Sequence, residues 1–405
     1  MQEKTKIKGF EKFKLVFILA LMSSIAPIST DMYLPALETV ERSFATNTYL
    51  TQLSLASFFV GFALGQLIYG PLSDVFGRKK PVIIGLVLFI SASIACILVD
   101  DIRLFILLRF VEALGGCAGV VIARAIVNDL FELKEAISVF ALMMVVSSLA
   151  PMLSPVFGGI LLEFFSWQSI FVTLFLVGFL LLFLVIFFLK ESVAVNEKAK
   201  FSFSQTIKSY KIVLSNKAFL VYIISASLAM ATIFSYITGS AFVFIKFFGL
   251  SELQYSIVFA VNALGFAIFA NLNTFLLKKY SPQTIIKRAF LTMTFFAFLM
   301  IMSAFTKDSF IIFELSIFFT ISMLGFIMPN ATSLAMSYFK ENSGAASAVL
   351  GAMQFALAGT IAFIVGAIDA NTPLVLACVI FVCTVLATSI YIGFNRLLNN
   401  TQHKD

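Results

Sequence analysis

The chain has 405 residues, of which 60% are hydrophobic and 12% charged, with a formal net charge of +7. Soluble domains carry about 25% charged residues, so this is a membrane composition and argues against a soluble enzyme. The basic residues fall between apolar runs, leave no basic folded face and so exclude a nucleic-acid partner.

Apolar stretches of about 20 residues can cross a bilayer as helices. About twelve follow one another, near 15–36, 49–72, 81–99, 103–126, 138–161, 169–190, 218–245, 253–277, 285–305, 309–335, 344–367 and 372–395. They lack the polar–apolar alternation of barrel strands, so the expected fold is an all-α membrane protein. The opening "MQEKTKIKGFEKFK" leads into a run too long for a signal peptide and reads as a retained first helix. Basic residues crowd into alternate connections: Lys4 to Lys14, Arg78 to Lys80, Arg124 and Lys134, Lys190 to Lys217, and Lys278 with Lys279. The other connections hold only Arg42, Arg103, Lys246 and Lys307. This positive-inside asymmetry puts both termini in the cytoplasm. Four cysteines inside the apolar runs and a lone His403 in the tail support no metal site, cofactor or disulfide framework.

The first run contains one ionisable side chain, Asp31, in "PISTDMYLPAL". From Lys14 to Asp31 is about 26 Å of helix against a hydrocarbon core of about 30 Å, so Asp31 lies in the outer half. Two readings stand: a helix-end carboxylate wetted by the outer surface, or an acid inside a cavity. The uncharged run that continues to Leu37, with Tyr33 in it, favours the second.

Between the second and third runs lies "GPLSDVFGRKKP". Gly70 is expected to allow close helix approach and Gly77 a tight turn, and Asp74 and Arg78 are spaced to pair. The fourth run, "RFVEALGGCAGVVIARAIVNDLF", holds Arg109, read as the only cation within a span, with Glu112 three residues on and on the same face. A lone intramembrane charge faces a cavity or a partner. Arg109 and Glu112 are therefore either a self-neutralising pair or a second titratable group beside an arginine. Asp129 closes the run on the inner side. In the fifth run, "APMLSPVFGG", Pro151 and Pro155 are expected to bend the helix and Gly158 and Gly159 to permit tight contact.

The polar stretch 191–217 divides the chain into an N-terminal part, 1–190, and a C-terminal part, 218–405, with six runs each. At an offset of 200, Gly65 to Pro81 lies over Gly265 to Ser281, with Gly65 on Gly265 and Arg78 on Lys278. This pattern suggests two repeated bundles. In the second part Asn262, Asn330 and Gln354 are polar groups in apolar surroundings, and Glu314 is a further acid early in its run.

The loop "GPLSDVFGRKKP" resembles the signature loop of the major facilitator superfamily, with Val75 where a cation is usual. The Arg109–Gly115 stretch resembles that family's R-x-x-Q-x-x-G pattern, with Glu112 in place of Gln. "APMLSPVFGG" is similar to the stretch that marks its antiport exporters. Together with "STDMYLPAL", "RAIVNDLF", "MPNATSLAM" and "SGAASAVLGAMQ", these resemble the bicyclomycin/chloramphenicol-type (Bcr/CflA) drug exporters. The resemblance implies two six-helix bundles in a bacterial inner membrane, a monomer, and antiport of protons against small lipophilic drugs. It places Asp31 in a central cavity, exchanging a proton for substrate with Glu112 and Arg109 nearby. Tyr33, Asn262, Asn330 and Gln354 would line the substrate site. Asp74, Arg78 and Asp129 would latch the halves as a gate, with Gly70, Gly77, Pro151, Pro155, Gly158 and Gly159 shaping the moving elements. Metabolite uptake is the alternative. A membrane-embedded lipid-modifying enzyme lacks the acid pair or histidine it would need.

Overall fold

The computed structural model of the chain describes residues 9–131, 139, 143, 150, 153–192, 203–305, 310–339, 343–368 and 372–402. The helices are α1 (Gly9–Asp31), α2 (Leu37–Ser43), α3 (Thr48–Phe76), α4 (Lys79–Leu98), α5 (Ile102–Leu130), α6 (Leu153–Phe164), α7 (Gln168–Phe188) and α8 (Phe203–Leu214). They continue with α9 (Lys217–Phe242), α10 (Glu252–Leu276), α11 (Pro282–Ser303), α12 (Phe310–Ser322), α13 (Leu324–Met336), α14 (Ser343–Ala367) and α15 (Pro373–Gln402). Among the described residues, eleven helical stretches are long and apolar enough to cross a membrane, and α6 is a shorter apolar helix. Of the span expected at 138–161, the latter part is α6; Pro151 and the bend expected there lie outside the described residues.

Apolar side chains fill both sides of these helices. α7 buries Ile170, Phe171, Leu174 and Leu181 while exposing Leu176, Phe179, Phe183 and Phe187. A helix apolar all round is made for lipid on one face and protein on the other, and in lipid its backbone polar groups must be satisfied internally. Polar caps mark several helix starts. The Asp101 side chain accepts from Arg103 N, Asn216 from Phe219 N and Ser281 from Thr284 N, and Ser251 with Gln254 forms a reciprocal capping box.

The contacts divide the chain into two compact units: 1–46 with 57–203, and 47–56 with 204–405. In the first, α5 packs on α4 and α1, and α7 on α4. Glycines set these distances. A Cβ on Gly115 would overlap the Phe89 backbone, on Gly119 the Met22 carbonyl, and on Gly61 the Phe110 carbonyl. Such small-residue contacts replace the hydrophobic drive that is missing between helices in lipid. In the second unit α9 packs on α13, α14 and α15, α10 on α12 and α13, and α11 on α12, α13 and α15. Its core includes Phe219, Ile223, Phe290, Met293, Leu324 and Ile327.

The internal repeat has a structural counterpart. Gly65 of α3 abuts Cys117 of α5, and Gly265 of α10 abuts Phe318 and Ser322 of α12. Three local expectations change. A Cβ on Gly70 would meet nothing within 4 Å, so close approach is not what that glycine provides. The polar stretch 191–217 contains α8, because Ile207, Tyr210 and Val213 recur at helical spacing; Val213 and Tyr210 lie on the second unit's core. The run expected at 309–335 is two helices meeting at Met323, where Phe326 N–H bonds Met323 O at 3.0 Å in a tighter turn. Pro329 follows and leaves the Gly325 carbonyl without its usual helical donor.

Candidate functional site

Asp31 is the last residue of α1. The chain then turns through Met32 and Tyr33 into a short 3-10 helix, Leu34–Ala36, because Pro35 fits the first positions of a helix but cannot continue one. Although it ends a helix, Asp31 is only 4% exposed, which argues against a carboxylate simply wetted at the surface. Thr30 Oγ1 lies 2.9 Å from Asp31 Oδ1 and 3.1 Å from the Ala26 carbonyl, and its single hydrogen can serve one of them at a time. No cation pairs with Asp31 among the described residues. Against this helix end packs α6. A Cβ on Gly158 would overlap the Met32 carbonyl and crowd Pro35. Pro155 and Gly159 are buried on the same helix. The stretch expected to shape a moving helix is therefore in contact with the residues just beyond Asp31.

Arg109 and Glu112 are fully buried and form an ion pair of 2.5 Å within α5. Glu112 Oε1 also accepts from Ser29 Oγ at 3.2 Å and Ser93 Oγ at 3.1 Å. Arg109 donates to Ser29 Oγ at 3.1 Å and to the Ser29 carbonyl at 3.2 Å. Its guanidinium lies over the rings of Phe58, Tyr33 and Phe171 at 4.6, 4.8 and 5.5 Å. The geometry is an ion pair held within α5, and its hydrogen bonds tie α1, α4 and α5 together. Tyr33 belongs to this packing: it is fully buried and its ring meets Phe105 and Phe171.

Arg109 is not the only cation in its span. Arg124 lies inside the apolar stretch Ile102–Val127, exposed on α5, about 7.5 Å along the helix from Asp129.

At the end of α3, Gly77 has φ +82°, a backbone that favours glycine. The turn aims Arg78 back at α3 and across to α5. Arg78 donates to Asp74 at 2.5 Å, Asp129 at 2.8 and 3.3 Å, and Ser73 Oγ at 2.7 Å. Burial alone would lower the Arg78 pKa, but hydrogen bonds and charge from Asp129 and Asp74 hold it above its ordinary value. Glu191 accepts from the Arg78 and Lys79 backbone N–H groups at 2.8 and 3.0 Å, capping α4, and Ser192 donates to Asp129. The three residues expected as a cluster do come together, and all these partners belong to the first unit. Glu191 and Ser192 carried no motif that would have singled them out.

In the second unit, Asn262 Nδ2 donates to Tyr236 Oη at 2.9 Å and to Glu314 Oε1 at 2.7 Å. Asn330 Nδ2 donates to Asn273 Oδ1 at 2.7 Å, joining α13 to α10. Gln354 is half-buried on α14. Asn262 and Asn330 thus sit in two separate side-chain pairings. Sequence reasoning did not single out Tyr236 or Asn273, whose one signal is a polar side chain inside an apolar run, and it left the position of Glu314 open.

The sequence profile described as Major Facilitator Superfamily matches residues 19–363. The chain is 30% identical over 394 residues to YdgK of Bacillus subtilis (strain 168), an uncharacterized MFS-type transporter, covering 96% of this chain and 97% of that one. It is 26% identical over 383 residues to a bicyclomycin resistance protein homolog of Haemophilus influenzae, covering 94% and 96%. It is 27% identical over 329 residues to the multidrug resistance protein MdtL of Citrobacter koseri, covering 81% and 82%. Among solved structures, a partially occluded inward-open xylose transporter XylE from E. coli superposes with a TM-score of 0.76 at 14% identity, covering 95% of this chain and 98% of that one. At that identity the likeness is one of fold.

Proposed function

This chain belongs to the Major Facilitator Superfamily and is therefore a membrane transporter and not an enzyme, and we propose that it exports small, mostly lipophilic toxic compounds in exchange for protons. The reading is supported by the burial of Asp31 at the end of α1, with no cation paired to it among the described residues and against the Pro155–Gly159 stretch of α6. The names of the bicyclomycin and multidrug resistance relatives support the substrate class. Both termini lie in the cytoplasm of a bacterial cell, and the chain acts as a monomer.

Removal from water disfavours an ionised carboxyl, so an acid in this setting holds a proton until something replaces it. A bound cationic or hydrogen-bonding substrate favours the ionised form and ejects the proton inward; substrate release outside lets a proton return. Each ligand must bias one conformational state, or nothing is coupled. One proton crossing 100 mV supplies about 2.3 kcal/mol, and one pH unit adds about 1.4 kcal/mol. For a neutral cargo these together sustain a concentration ratio on the order of several hundred at one proton per molecule, while for a monovalent cation the exchange is electroneutral and only the pH term, about tenfold per unit, remains. Asp74, Arg78 and Asp129 serve as a charged latch at the inner end of the first unit, and Gln354 and Asn330 contribute to the substrate path.

The test is an antimicrobial susceptibility panel that includes bicyclomycin, in a host lacking its own exporters. The chain should raise tolerance to some compounds, and Asp31→Asn should abolish that gain at equal expression. Equal protection by both forms would remove Asp31 from the mechanism.

A further inference from the structure

The two units treat a buried glutamate differently. In the first unit, α5 supplies Glu112 together with its own counter-ion, Arg109. In the second, α12 supplies Glu314, and no cation pairs with it among the described residues. Its neighbours are neutral: the Asn262 amide on α10, which spends both hydrogens on Glu314 Oε1 and Tyr236 Oη.

This leaves an excess of acceptors. Glu314 Oε2 and Asn262 Oδ1 are both sealed from solvent and have no hydrogen-bond partner. A carboxylate buried without counter-charge and with one oxygen unsatisfied is costly. A proton on Oε2 removes the charge and turns one open acceptor into a donor. Among the described residues, the ionisable groups facing the site are few. Tyr236 on α9 is part of it, and Tyr255 on α10 is engaged with Ser240 at 2.9 Å. α11, which also packs on α12, has no ionisable residue from Ala289 to Ser303, and α12 has none besides Glu314. Lys246, beyond the end of α9, lies over the Phe242 ring at 4.8 Å. Glu314 sits about one turn into α12 and is intermediate in exposure as a residue, while its Oε2 is sealed.

We infer that Glu314 is a second exchangeable-proton site, with Asn262 and Tyr236 as its positioning residues. Protonation transfers a proton from water to Oε2; release returns it and leaves a carboxylate held by the Asn262 amide. The inference rests on the proton-coupled reading above only for what that proton does in transport.

The probe is the proton itself. Infrared difference spectra of the full chain in lipid vesicles, recorded across neutral pH in light and heavy water, report protonated carboxyls directly. A titrating carboxyl band is expected that shifts with isotope-labelled glutamate, is lost in Glu314→Gln and persists in Asp31→Asn and Glu112→Gln. Asn262→Leu should displace the band without removing it. If labelled wild-type protein shows no titrating glutamate band, or Glu314→Gln leaves every band in place, the inference is overturned. A missing aspartate band beside an intact Glu314 band would instead count against Asp31 and leave this site standing.

Discussion

At the residue scale, charges in the described spans are either paired in place or left open. Arg109 and Glu112 are the paired case. Breaking a buried ion pair leaves an uncompensated charge, so Arg109→Ala should cost about 3–5 kcal/mol, read as a lower unfolding midpoint in detergent. Glu112→Gln keeps the shape and the contacts to Ser29 and Ser93 but leaves Arg109 without its counter-charge, so it too should lower the unfolding midpoint, while export per folded molecule stays within about twofold, a change of roughly 0.4 kcal/mol, measured as drug efflux from loaded cells. The i,i+3 spacing made this pair legible in sequence. Ser29 and Ser93 were not, because nothing local links three residues drawn from α1, α4 and α5. Arg124 lies inside the apolar stretch as well, and the helix continues past it to Leu130.

At the element scale, Gly70 within α3 and Gly77 just after it make a paired test. Gly77 has φ +82°, and a left-handed conformation costs a side chain roughly 1–2 kcal/mol. Gly77→Ala should lower the unfolding midpoint accordingly and disturb the Arg78 contacts. Gly70→Ala meets open space inside a helix and should be neutral or stabilising by up to about 1 kcal/mol; the same melting series reads both. Where α6 meets the end of α1, Gly158→Leu has no room beside the Met32 carbonyl and Pro35. It should reduce export more than the same change at the open Gly70, at matched amounts of folded protein. The loop motif was readable because its residues are neighbours in the chain. The α6 contact was not, since it depends on where the chain turns after Asp31.

At the scale of the whole molecule, composition and the rhythm of apolar runs were enough to read a helical membrane fold in two halves. The Gly65 and Gly265 contacts support the repeat. What sequence left open was which polar side chains meet: Asn262 with Tyr236 and Glu314, and Asn330 with Asn273. The central claim is that Asp31 exchanges a proton for cargo. Its most direct measurement uses purified protein in sealed vesicles and the compound against which it protects best. With an imposed proton gradient the wild type should drive net transport that stops when the gradient is collapsed, and Asp31→Asn should show no gradient-driven transport. Equal transport with and without the gradient, or an Asp31→Asn protein that pumps at the wild-type rate, would contradict the account.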